Sequence, residues 1–216
     1  MLDCDAECPP WERRSFDAVG RGFDAVAARR GFDAVIVPSI TTERLTLHPA
    51  TIELLEAERD PYGELAALLQ AEVARPWPPP LNDEASRAWM LSMLRTVPGP
   101  GRWGMYYFLL RREGALPIAI GNGGYKGPPR DGSVEIGYSV VEAYQRRGYG
   151  SEGAGGLVRR AFEDPAVKRV LAETFPHLAG SLGVLRKLGF TRRGEGSEEG
   201  AMLFELPHEE WERRRT

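Results

Sequence analysis

The sequence predicts an α/β protein of the α+β kind: a three-layer α/β/α sandwich on a mixed, mostly antiparallel sheet. Three observations carry that expectation. Residues 134–141 alternate and then crowd apolar side chains (Val134, Ile136, Tyr138, Val140, Val141), the pattern of a largely buried strand. Residues 151–162 place Leu157, Val158, Ala161 and Phe162 at helical spacing, and a short strand over residues 170–174 follows, so strand, helix and strand form a crossover. Two hairpin signals supply antiparallel strands, one at Glu113-Gly114 and one around the acidic loop of Glu195, Glu198 and Glu199. Helices of this kind must cover both faces of the sheet they cross.

The other elements follow in order. Residues 44–47 read as a strand, and Thr51 opens a helical segment with Ile52, Leu54, Leu55 and Ala57 that Asp60-Pro61 breaks. Leu65, Leu68 and Leu69 share a face of a second segment, ended by the run from Arg75 to Pro80. Asn82 or Asp83 can cap a third helix carrying Trp89, Met90, Met93 and Leu94, which stops at Val97-Pro98-Gly99. Strands at 104–112 and 116–125 come next. Glycines between 121 and 124 suggest a bulge or a close backbone approach in the second of them. A helix over residues 180–188 is closed by Gly189, and strands at 190–193 and 201–206 end the pattern.

A length of 216 residues and a mass of 24.0 kDa fit one domain with an appendage. Residues 1–40 read as an N-terminal extension and 41–216 as the domain. The extension repeats Phe-Asp-Ala-Val at Phe16, Phe23 and Phe32, too short and too uneven for a solenoid; a loosely docked segment is preferred over a dimerisation or site-covering role. A homodimer is compatible with the sequence. A net charge of −3 argues against nucleic acid as a partner. The absence of a long apolar run or a signal-like N-terminus argues against a membrane and for a cytoplasmic setting. Cys4 and Cys8 have no clustered histidines beside them, so no metal site is expected and free thiols are the simpler reading.

The turn inside the crossover, Gln145-Arg146-Arg147-Gly148-Tyr149-Gly150, has the chemistry of a phosphate cradle. Gly148 and Gly150 admit a ligand close to the backbone, and the N–H groups at a helix start point at it with the helix dipole behind them. Arg146 and Arg147 add cationic partners. Neither G-x-G-x-x-G nor G-x-x-x-x-G-K-[ST] is present, which excludes a dinucleotide fingerprint and a nucleoside-triphosphatase loop.

The pattern Gln/Arg-x-x-Gly-x-Gly/Ala resembles the acyl-CoA pyrophosphate loop of the GNAT N-acetyltransferase superfamily. Further resemblance comes from Thr42-Glu43-Arg44-Leu45-Thr46-Leu47, Gly127-Pro128-Pro129, Val134-Glu135-Ile136-Gly137-Tyr138 and Leu185-Arg186-Lys187-Leu188-Gly189-Phe190. These look like the RimJ/RimL-like branch of ribosomal-protein N-terminal acetyltransferases, and the likeness runs in order over roughly residues 41–206.

The resemblance implies acetyl-CoA as co-substrate, with Arg146, Arg147, Gly148, Tyr149, Gly150 and Ser151 at its pyrophosphate. It also implies that backbone groups of Val140 and Val141 pair with the pantetheine arm between splayed strands. The amine acceptor, a protein N-terminus or a small molecule, must lose a proton, and Glu135 is the first candidate base, with Glu173 the second. A salt-bridged Glu135 is the competing reading. Many relatives protonate the leaving thiolate from a tyrosine, but Leu185 stands at that position here. Ser181 matches the serine of the branch's Asn-x-x-Ser pattern and is the candidate donor, while Leu178 replaces the asparagine. Glu152 reads as a helix-dipole partner. Of His48, His177 and His208 only His177 lies near the expected CoA side. No G-x-S-x-G elbow exists, so direct transfer in a ternary complex is expected over an acyl-enzyme. A catalytically silent acyl-CoA-binding module is the alternative.

Overall fold

The computed structural model describes residues 37–96 and 100–215. The Phe16, Phe23 and Phe32 recurrences, the two cysteines and the expected helix stop at residues 97–99 lie outside the described residues.

The described residues open with strands β1 (Ile40–Thr41) and β2 (Leu45–Pro49), antiparallel across a short turn. The strand expected at residues 44–47 is β2; β1 was not expected, and it starts at Ile40, a buried residue one position before the expected domain border. Helix α1 (Ile52–Ala57) is capped by Thr51, whose side chain accepts from the Leu54 N–H at 3.2 Å. Asp60 ends that run and caps a π-turn over Pro61–Leu65, leading into the single turn α2 (Ala66–Leu69). Strand β3 (Glu72–Val73) was not expected. It pairs in parallel with the start of β5 (Ile118–Tyr125). Helix α3 (Glu84–Thr96) starts after Asp83, which accepts from the N–H and hydroxyl of Ser86, both at 2.8 Å. These bonds hold the Asp83 carboxyl below its ordinary pKa.

Strand β4 (Met105–Leu110) forms the expected hairpin with β5, and β5 pairs with β6 (Ser133–Val140). The β4–β5 register shifts at Phe108/Leu109, the expected bulge. The close approach is real too: a Cβ on Gly121 would lie 2.3 Å from the Ser139 carbonyl oxygen. After β6 come α4 (Tyr149–Phe162), β7 (Arg169–Thr174), α5 (Ala179–Leu188) and the antiparallel pair β8 (Thr191–Glu195) and β9 (Met202–Pro207). A short helix α6 (His208–Arg213), not read from the sequence, ends the chain.

The sheet order is β1-β2-β4-β5-β6-β7-β9-β8, with β3 beside β5. Only β6/β7 and β3/β5 are parallel, so the sheet is mixed and mostly antiparallel. On one face α4 buries Ala154, Leu157, Val158 and Ala161 completely, and Tyr125 donates from β5 to the Leu157 carbonyl at 2.7 Å. Each such leucine or valine contributes about 1.5–3 kcal/mol of burial. On the other face Tyr107 of β4 points toward α1. No helix among the described residues is long and apolar enough to cross a membrane.

The feature that positions the site is a parting of strands. β6 and β7 pair only from Ser133/Arg169 to Ile136/Ala172. Gly137–Val140 and Glu173–Thr174 continue their strands without facing each other, leaving a wedge between β6 and β7 beneath the start of α4.

Candidate active site

The α4 N-terminus opens on that wedge. Gly148 is its N-cap at φ +85°, and no side chain caps the helix, so its first N–H groups are open to a ligand. Arg146 is also left-handed, at φ +57°. Arg146 and Arg147 are exposed, and the Arg147 guanidinium lies 5.7 Å from the Tyr144 ring centre. Tyr149, Gly150 and Ser151 form the first turn of α4 and are half-buried.

Sequence reasoning missed Arg44. Its Nη1 donates to the Arg147 carbonyl at 3.1 Å, and its guanidinium lies 4.5 Å from the Tyr149 ring centre. A Cβ on Gly148 would come within 3.1 Å of its Nη2. Glu152 holds Arg44 there, accepting from its Nε at 2.7 Å and its backbone N–H at 2.5 Å. The same carboxylate takes the Thr42 hydroxyl at 2.6 Å and the Leu45 N–H at 3.1 Å. Burial works to raise the Glu152 pKa, but these hydrogen bonds and the Arg44 charge outweigh it and hold the group below its ordinary value. Glu152 is therefore a clamp between α4 and the β1–β2 turn, more than a dipole partner.

The backbone groups assigned to pantetheine are partly engaged. The Val141 N–H donates to the Ile120 carbonyl at 2.8 Å, and the Val140 carbonyl accepts from Gln145 Nε2 at 2.9 Å. The free edge of β6 is Gly137 to Ser139, beyond the last β7 pair.

A cavity of about 360 Å³ runs from the wedge to α1 and α3. Ser181 and Leu178 of the α5 region line its wedge end, with Gly137, Tyr138 and Thr174. Thr174 is 4% exposed and its hydroxyl has no hydrogen-bond partner among the described residues, an orphan donor beside the space. The Tyr138 hydroxyl lies 3.3 Å from both the carbonyl and the hydroxyl oxygen of Ser181. Burial pushes the Tyr138 phenol up to about 12, tempered by Ser181, so it stays protonated near neutral pH. Leu185, by contrast, is fully buried. Tyr138 was legible in the sequence only as one of five apolar-patterned strand residues, which hid its hydroxyl.

Glu135 does not line the cavity. It is half-buried and ion-paired with Lys126, which does line it. Burial raises the Glu135 pKa; Lys126 offsets this in part and Glu173 adds to it. Glu173 itself reaches the cavity, accepting from the Ser197 N–H at 2.9 Å and hydroxyl at 2.6 Å. His177 is exposed, stacks on Phe175 at 5.5 Å, and is not among the cavity residues. Trp77 is buried behind Tyr107, with ring centres 6.1 Å apart, whereas Trp89 lines the cavity.

An uncapped helix start, a half-open strand edge and an orphan hydroxyl beside the cavity fit an extended acyl thioester with a phosphorylated end. Residues 44–191 match the family model described as "Acetyltransferase (GNAT) domain". The chain is 26% identical over 193 residues to the FsC-acetyl coenzyme A-N(2)-transacetylase of Aspergillus fumigatus, covering 81% of this chain and 78% of that one. Among solved structures, an acetyltransferase from Agrobacterium tumefaciens aligns with a TM-score of 0.54 at 22% identity, over 82% of this chain and 99% of that one. Mycobacterium smegmatis RimJ, solved in complex with CoA-disulfide, aligns with a TM-score of 0.53 at 18% identity, over 80% and 88%. At these identities the structural likeness speaks for the fold. The family match covers more than half the chain and includes the α4 loop, β6, β7 and α5. The chain belongs to the GNAT acetyltransferases, enzymes that transfer an acetyl group from acetyl-CoA to an amine.

Proposed function

We propose that this protein transfers acetyl from acetyl-CoA directly to a primary amine, a protein N-terminus or a small amine, in a ternary complex. The observations that support this reading are an uncapped α4 N-terminus, a β6 edge left without a β7 partner after Ile136, and a cavity lined by that edge at Gly137 to Ser139. The N–H groups of Gly148 to Ser151, with Arg146 and Arg147, hold the pyrophosphate. Arg44 steadies that loop. Gly137 to Ser139 offer the backbone edge to pantetheine, one to four residues before the expected Val140 and Val141.

The acceptor amine attacks the thioester carbonyl carbon, and the carbon–sulfur bond breaks as the amide forms. Ser181, backed by Tyr138, donates a hydrogen bond to the departing thiolate. Glu173 accepts the amine's proton, because it reaches the cavity; Glu135 lies behind it and acts through it or through water. The catalytic unit spans residues from about 40 onward, with the residues before β1 as an extension dispensable for CoA binding. Thiol release from acetyl-CoA, followed against a panel of amines and N-terminal peptides, tests the reading. Tight CoA binding with no thiol release on any acceptor would favour a silent acyl-CoA-binding module.

A further inference from the structure

Glu58 follows α1 and lines the end of the cavity opposite Ser181. It takes no part in the transfer chemistry described above. The Tyr107 hydroxyl donates to it at 3.0 Å, and burial raises its pKa, tempered by Tyr107, by the charge of Arg87 and by Trp77. Arg87 is committed elsewhere: its Nη2 pairs with Glu84 at 2.9 Å. No cation among the described residues lies within ion-pairing distance of Glu58.

Asn122 is the second, independent feature. It is 4% exposed, lines the same cavity, and its amide has no hydrogen-bond partner among the described residues. The register fixes its direction. Asn122 pairs with Tyr107 on one side and Ser139 on the other, so all three side chains share one sheet face. That face is the one on which Tyr107 meets Glu58 and the Ser139 hydroxyl meets the Pro80 carbonyl. A largely buried carboxylate met only by the neutral donors Tyr107 and Trp77, and an amide facing the cavity, both call for a ligand that brings charge and hydrogen-bond donors.

The remaining charged groups on the cavity point the same way. Asp83, Glu173 and Glu198 are acidic, while the cations Arg87 and Lys126 pair with Glu84 and Glu135, neither of which lines it. Adjacent strands lie about 4.8 Å apart, so Tyr107 on β4 and Ser139 on β6 are separated by roughly 10 Å across β5. Resting on the transferase reading for the location of the reacting amine, we propose that Glu58, Tyr107 and Asn122 form a subsite for a second ammonium group on the acceptor, selecting diamine-like amines over monoamines. The carboxylate takes the cation, the Asn122 carbonyl accepts one of its N–H groups, and Trp89 and Met90 cover the linker between the two nitrogens.

Equilibrium binding of hexamethylenediamine and hexylamine to the CoA-loaded protein tests this without requiring turnover. The diamine should bind at least about tenfold more tightly, and Glu58→Gln should bring the two within about twofold while CoA is still bound. Glu198→Gln, which also removes a cavity carboxylate, should leave the preference in place. Equal binding of both amines to the wild-type protein, or a preference that survives in a CoA-binding Glu58→Gln variant, overturns the subsite. If Glu58→Gln loses CoA affinity through misfolding, the wild-type ratio and the Glu198→Gln control still decide. Thiol release with the same two amines separates the readings. Release with equal preference removes the subsite alone, and diamine-selective binding without release on any acceptor removes the transferase reading alone.

Discussion

The proposed phosphate-binding loop and the proposed acceptor end of the cavity draw on the chain in opposite ways. The first is nearly contiguous: Gln145 to Ser151 supply its backbone, charges and helix start in seven consecutive residues, with Arg44 as the distant contribution. The second is assembled from Glu58, Tyr107, Asn122 and Ser139, each on a different element and joined only by strand register and side-chain hydrogen bonds. A ligand common to a whole family can be met by a local motif, whereas selectivity for an acceptor is written in residues that the fold alone brings together. The following outcomes break or sharpen that contrast.

The largest effect is expected at the contiguous end. Gly148→Val places a branched side chain at φ +85° with its Cβ against Arg44, and should cut CoA affinity by about a hundredfold or more while the protein stays folded. Isothermal titration with CoA measures it. Unchanged affinity in a folded variant would remove the phosphate cradle from that loop. Arg147→Ala should cost only severalfold, and less at high salt.

Next comes the proton acceptor. Glu173→Gln should lower kcat/KM by about 10²-fold near neutral pH, with partial recovery as rising pH frees the amine itself. Glu135→Gln should have a smaller effect, since Glu135 does not line the cavity and is paired with Lys126, which does. Profiles of kcat/KM against pH for the three proteins separate these roles, and curves for Glu173→Gln that run parallel to wild type would exclude it as the base.

Ser181→Ala should reduce kcat about tenfold with little change in acetyl-CoA affinity, and Tyr138→Phe somewhat less, because each hydroxyl matters mainly as sulfur acquires charge. Equal losses in affinity would make them ground-state contacts.

Glu152→Gln weakens the clamp and should cost about 2 kcal/mol of stability near neutral pH. The sign follows from its lowered pKa: the ionised form stabilises the fold, fully so above the ordinary carboxylate range, and that contribution is lost as pH falls through the lowered folded value. Urea melts at decreasing pH should show wild type converging on the variant; a constant gap would assign the loss to packing. The smallest effect is expected from deleting residues through Pro38, which spares Ile40 and should leave CoA affinity within about twofold.

The same contrast explains what could be read from the chain. Periodicity and turn chemistry found β6, α4, α5 and both hairpins, because each is specified by neighbours a few residues apart. β3 and α6 escaped, the first being two residues long and defined by its partner Ile118 and Ala119 alone. The residues proposed as the phosphate cradle stand together as a motif in the sequence. Glu58 and Asn122 were not, since a glutamate after a helix and an asparagine in a glycine-rich strand carry no local sign of the cavity they share. The position of Glu135 along β6 was clear from the sequence, but its partner Lys126, one strand across, was not.

The Glu152 clamp also bears on the order in which the protein is made. Arg44 and Glu152 are 108 residues apart, and the β1–β2 turn emerges from the ribosome long before the helix that holds it. The loop proposed to hold CoA therefore lacks its clamp on the growing chain until α4 is synthesised, by which time strands β4 to β6 are already available to pair. A nascent chain halted before Glu152 would carry most of the acceptor wall and no competent CoA loop, so CoA can engage, and by mass action stabilise, only a nearly finished domain.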